Sequence, residues 1–122
     1  MKYFKQEKNY TCGCACFRMV LSEFDTQVPT EDEMEHIMNC VPESGTHYDS
    51  MVQTAEKFGL YCQYGENGSL DHLDSLIKDG WVVVIAFSVD VPHYAIYLGN
   101  NGNHLFLSDP YFGERQSHLI RK

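Results

Sequence analysis

Three cysteines stand at alternate positions in QEKNYTCGCACFRMVL, residues 6–21, where a polar stretch gives way to an apolar run. Thiols so placed can bind metal, pair as disulfides or attack an electrophile. Structural zinc sites space their ligand pairs by two to four residues and add a second pair elsewhere, whereas alternate positions on a helix point in different directions. Cys40 and Cys62 have no cysteine or histidine nearby to complete such a set. Five cysteines is an odd number, so a disulfide framework would leave one thiol over. A nucleophile needs only one of them. The thiolate is the attacking form, and a helix N-terminus favours it through unpaired N–H groups and aligned peptide dipoles. With Thr11 as N-cap, Cys12 falls in the first helical turn, and Gly13 leaves room for an incoming carbonyl. Cys14 and Cys16 lie deeper, Cys16 on one stripe with Val20 and Phe24, where a packing cysteine belongs.

A thiolate needs a base, and there are six histidines. His36, His47 and His72 fall on polar faces or first turns of predicted helices and read as solvated side chains; His104 and His118 carry no further signal. His93 opens a strand after Pro92, at a sheet end from which a side chain can reach across a cleft. If Asn100–Gly102 is a three-residue hairpin loop, Gly99 pairs with Asn103 and His93 comes to face Asp109. Directly opposed residues share a face with Cβ atoms roughly 4.5–5.5 Å apart, so the carboxylate could hold one ring nitrogen and leave the other for the thiol. A four-residue loop would shift the pairing by one and part the two side chains. The plainer reading of the pair is a turn-ending Asp-Pro and a histidine that tops a strand.

The elements that would position these residues are legible in the spacing. Apolar residues recur at three and four from Cys12 to Phe24, a helix with a wide buried face. Thr30 and Glu33 make a capping box for a second helix with Met34, Ile37 and Met38 inward. A third is expected from Thr46 to Gly59, and Ser69 caps a fourth that stops at Gly80. The β-branched and aromatic runs WVVVIAFSV, HYAIYLG and HLFLSD then predict an antiparallel meander, with one short strand near Leu60–Tyr64. Helices first and strands second make the class α+β.

The chain of 122 residues, 43% hydrophobic, fits one domain over 1–122. A net charge of −8 argues against nucleic acid or an anionic membrane as partner. No apolar run approaches the roughly 18–20 residues that span a bilayer, and MKYFKQEK lacks a signal-peptide core, so a cytoplasmic protein with reduced thiols is expected. The acid-rich EDEMEHIMNCVPESGTHYD could border a groove that takes a basic peptide, or be an ordinary solvated face.

Taken in order along the chain, these residues resemble the peptidase C39 family, papain-like cysteine proteases that cut leader peptides from bacteriocin precursors, often as the N-terminal domain of an ABC exporter. The resemblance lies in Gln6 six positions before Cys12-Gly13, the CGCA opening, Gly45-Thr46, the run from Ala55 to Leu60, Leu73 to Gly80, His93-Tyr94 through Gly99, and Asp109-Pro110. It implies a papain-like fold, an N-terminal helical part packed on a C-terminal antiparallel sheet. It also implies catalytic roles: Cys12 as nucleophile, His93 as base and then acid, Asp109 as orienter of His93, and Gln6 as side-chain donor to the oxyanion. The implied partner is a peptide or protein substrate, with no cofactor and no metal. Thr11 stands where the family often has aspartate, and no exporter segment follows Lys122 in this sequence, so a transporter-coupled role and a double-glycine leader remain open. HYAIYLG is also similar to the histidine strand of papain-like cell-wall hydrolases. An amidase, acyltransferase or cell-wall hydrolase, or a non-catalytic peptide-binding relative, therefore stays beside the peptidase.

Overall fold

Residues 1–24, 27–65, 68–87 and 93–119 are described by a computed structural model. The helical spacing forms α1 (Cys12–Phe24), α2 (Glu31–Met38), α3 (Tyr48–Lys57) and α4 (Leu70–Lys78). Then come the strands β1 (Val83–Phe87), β2 (His93–Asn100), β3 (His104–Asp109) and β4 (Gly113–Leu119), antiparallel in the order β1-β2-β3-β4.

The wide apolar face of α1 is wide because the helix is buried on two sides. Cys14, Phe17 and Leu21 pack with Met34, Met38, Cys40 and Ala55 of the α2–α3 region. Cys12, Cys16, Met19 and Val20 pack with Tyr94 and Ile96 on the sheet. The alternate residues of β2, Ala95 and Tyr97, face the other way and join Val83 and Leu107 under Leu70, Leu73, Leu76 and Ile77 of α4. The layers are thus α2 and α3, then α1, then the sheet, then α4. Each large apolar side chain so buried stabilises the fold by roughly 1.5–3 kcal/mol, and α1 contributes Phe17, Met19 and Leu21 among them. Among the described residues no helix is long and apolar enough to cross a membrane.

The capping box forms in full: the Thr30 side chain accepts from Glu33 N–H and the Glu33 carboxylate accepts from Thr30 N–H. Ser69 caps α4 through the N–H of His72 at 3.1 Å. Three expectations need correction. α3 begins at Tyr48 with His47 as N-cap, two residues late, because Thr46 is drawn into the interior, 2% exposed. Leu60–Tyr64 form no strand; Tyr61 and Tyr64 are exposed, and an alternating pattern makes no strand without a neighbour to pair with. β4 was not expected, because GERQSHL is a polar edge strand whose sheet partner is β3. The connection carrying Pro92 lies outside the described residues.

Candidate active site

The thiol of Cys12 sits at the first residue of α1, 6% exposed, between the helix and the sheet. Thr11 occupies the N-cap position, its carbonyl accepting from Ala15 N–H at 3.0 Å. Its hydroxyl, however, turns back on the preceding loop, accepting from Lys8 N–H at 3.1 Å and donating to Lys8 O at 3.0 Å. Gly13 also has a different reason from the expected one. A Cβ there would lie 2.7 Å from both Cβ and Oγ1 of Thr46, so the glycine admits Thr46 against the helix.

His93 opens β2 opposite Phe87, whose ring meets the imidazole edge-on at 5.2 Å. The His93–Asp109 pair forms, though by a route other than direct opposition. Next to the turn, Asn100 pairs with Leu105 and Gly99 with Phe106; past an extra residue at Leu98, Tyr97 pairs with Leu107 and Ile96 with Ser108. Next to the turn the pairing lies three positions off the simplest reading, and the bulge takes one of these back, leaving a net shift of two. Continued by a residue, this sets Asp109 against Ala95, so His93 and Asp109 are diagonal neighbours, within reach for long side chains.

His93 Nε2 lies 3.0 and 3.1 Å from the two carboxylate oxygens of Asp109. Asp109 is 1% exposed, and its Oδ1 also accepts the N–H groups of Tyr111 at 2.8 Å and Phe112 at 3.2 Å. Burial alone would raise Asp109, but the bonds from His93, Tyr111 and Phe112 outweigh it and hold the carboxyl below its ordinary value. With Nε2 on Asp109, Nδ1 is left for the second partner of the ring, the Cys12 thiol, which hydrogen-bonds His93. Asp109 first, and Cys12 after it, push the His93 pKa up to about 9 against the opposing effect of burial.

Gln6 is 9% exposed and sits between the two halves of the site. Its N–H donates to Pro110 O at 2.8 Å, next to Asp109, and its side-chain amide donates one N–H to Lys8 O at 2.8 Å. A primary amide has a second N–H. The carbonyl Oε1 of Gln6 is buried with no hydrogen-bond partner in the described structure.

Of the other thiols, those of Cys14, Cys16 and Cys40 are packed in the interior. Cys16 is fully buried, and burial before all else raises its pKa well above the ordinary thiol value. Cys14 is hydrogen-bonded to Cys40, whose Sγ lies 3.2 Å from Tyr10 O, and this contact and burial raise Cys14. Cys62 is exposed. His36, His47, His72 and His118 lie on the surface. Among the described residues no three or more of His, Cys, Asp and Glu gather as a metal site. Sequence reasoning missed Glu31 and Thr46. Glu31 is 1% exposed within an acidic first turn whose other members, Asp32 and Glu33, are solvated. Thr46 backs Gly13 and accepts the Tyr94 hydroxyl on its carbonyl at 2.8 Å. The nearest signal was Gly13 itself, since a glycine inside a helix marks a close approach.

The chain matches the family model of the peptidase C39 family over residues 1–119. Among solved structures, the fold is shared with the peptidase domain of Streptococcus ComA, described as a bi-functional ABC transporter involved in a quorum sensing pathway. The TM-score is 0.80 at 16% identity, over 97% of this chain and 87% of that one. A comparison with curated proteins gives no match.

Proposed function

The chain belongs to the peptidase C39 family, and from that premise we propose that it is a cysteine peptidase working through Cys12, His93 and Asp109, with Gln6 as an oxyanion donor. The observation that carries this reading is the His93 ring held between a buried carboxylate and the thiol at the start of α1. An imidazole whose pKa is pushed up to about 9 is protonated at neutral pH, the state that accompanies a thiolate.

In the first step Cys12 Sγ bonds to the scissile carbonyl carbon and the carbonyl π pair moves to oxygen. First-turn amides of a helix lie outside its own hydrogen-bond ladder, so the N–H of Cys12 and the second N–H of Gln6 are the donors suited to that oxygen. His93 then gives a proton to the leaving amine as the C–N bond breaks, leaving a thioester on Cys12. It next takes a proton from the water that attacks the thioester and keeps it, so that the C–S bond breaks to release a thiolate beside the imidazolium, the state from which the cycle began. Asp109 holds the ring in the tautomer and orientation that both transfers need. The exposed rings of Phe87, Tyr111 and Phe112 beside the pair offer apolar contact to a peptide.

We take residues 1–122 as one peptidase domain and a double-glycine leader peptide as the substrate to test first. Incubation followed by mass spectrometry should show cleavage after the second glycine, lost in Cys12→Ala. Cleavage of a cell-wall muropeptide instead would move the chain to the hydrolase alternative, and normal turnover by Cys12→Ala would reject the nucleophile.

A further inference from the structure

The mechanism above leaves one buried charge without a part. Glu31, the first residue of α2, is 1% exposed, and an ionised carboxylate is costly there unless its oxygens are satisfied. Both oxygens accept the N–H of Glu7, at 3.1 and 3.0 Å, and the Thr11 hydroxyl is a further neighbour, sharing its one hydrogen between Lys8 O and this carboxylate. Around them the loop 6–11 is tied at each step. Gln6 N–H goes to Pro110 O, the Gln6 amide to Lys8 O, Lys8 N–H to Thr11, and Lys8 Nζ to Glu35 at 2.8 Å. Every one of these bonds stands within one or two residues of Gln6 or of Cys12. A carboxylate suits this place better than an amide, since it accepts on both oxygens and presents no N–H of its own to Glu7.

We propose that Glu31 is a positioning residue for oxyanion binding: by holding Glu7 N–H and Thr11, it fixes the loop so that Gln6 keeps one N–H on Lys8 O and aims the other at the oxygen of the tetrahedral intermediate. This rests on the reading of Gln6 as an oxyanion donor. Glu31 therefore acts from α2, a helix that supplies neither the thiol nor the imidazole, and its substitution acts on catalysis only through Gln6.

The test compares wild type, Glu31→Gln, Gln6→Ala and the double variant on a fluorogenic peptide amide ending in Gly-Gly. Each is also titrated with a peptide aldehyde of the same sequence. The aldehyde adds Cys12 Sγ to its carbonyl carbon while the thiol proton passes to the oxygen, giving a hemithioacetal that probes the oxyanion donors without turnover. Gln6→Ala should lower kcat about a hundredfold. Glu31→Gln should lower kcat about tenfold with KM within about twofold, and weaken the aldehyde by a similar factor; in the Gln6→Ala background it should cost nothing more. If Gln6→Ala is impaired but Glu31→Gln costs the same factor in both backgrounds, or nothing in either, Glu31 is no positioning residue and Gln6 keeps its role. If Gln6→Ala turns over normally, the oxyanion reading of Gln6 falls and this inference with it. Should Glu31→Gln not fold, NMR titration of the wild type decides: the Glu7 N–H and the Gln6 side-chain amide protons should move together as Glu31 protonates, with Glu7, Glu35 and Lys8 as the neighbouring charges, and independent movement overturns the coupling.

Discussion

Gly13 and Thr46 set the tightest steric condition beside the thiol. Gly13→Ala forces a methyl to 2.7 Å from two Thr46 atoms, an overpacking that should cost about 1–3 kcal/mol in urea unfolding. Adding Thr46→Gly should recover part of the loss; equal stabilities of the single and double variants would show that the contact is not the cause. Cys16, fully buried against the sheet, should tolerate no polar replacement. Cys16→Ser should lower the thermal midpoint by an amount equivalent to roughly 1–3 kcal/mol, and a midpoint equal to wild type would refute the packing role. His93 carries a pH signature. Its folded pKa, about 9, lies above the ordinary 6.5, so its interactions stabilise the fold fully below 6.5 and that contribution is lost as pH rises through about 9. Asp109→Asn removes the largest cause of the shift, so its stability deficit relative to wild type should shrink across that window. A deficit constant from pH 6 to 9.5 would contradict the pairing. Cys12 was legible because a helix start can be read from spacing. Glu31 was not, because nothing in a run of acids says which one turns inward.

At the scale of elements, the site depends on a register set by two irregularities. The loop after Asn100 is one residue longer than the simplest hairpin reading, and the extra residue at Leu98 brings His93 and Asp109 back into partnership. Deletion of Ala95, which lies between the bulge and His93, should therefore turn His93 to the other face of β2 and abolish turnover, whereas deletion of Leu98 itself should close the bulge and keep Tyr97 opposite Leu107 with the pair intact. Insertion of one glycine beside Gly102, in the exposed turn, should be absorbed with little loss of turnover. Turnover in the Ala95 deletion, or its loss in the Leu98 deletion, would contradict this register. The helices were legible because caps and periodicity are local signals. β4 was not, because a polar edge strand owes its existence to β3, and the Leu98 bulge was not, because it follows from how two strands fit.

At the scale of the molecule, the N-terminal segment closes the structure across its layers. The Met1 amino group meets Glu23 at 2.9 Å and Lys2 N–H reaches Ser22 at 2.8 Å, both near the end of α1. Tyr3 donates to Asp109 O at 2.7 Å and Gln6 N–H to Pro110 O, both at the end of β3. Tyr3→Phe should cost about 0.5–1.5 kcal/mol, and deletion of residues 1–5 more, with kcat reduced because the backbone of Asp109 loses its tether. Full activity in the truncated protein would show that the segment is dispensable. The fold class was legible because helices and strands are segregated along the chain, but the sutures between its first and last elements join residues that no local pattern relates. The pairing of Cys12 with a ring supplied by the second strand has a consequence for biosynthesis. A chain leaving the ribosome presents Cys12 long before residues 93 and 109 exist to engage it, so the proposed triad assembles only after both strands have been made, and a polypeptide broken off ahead of them is silent.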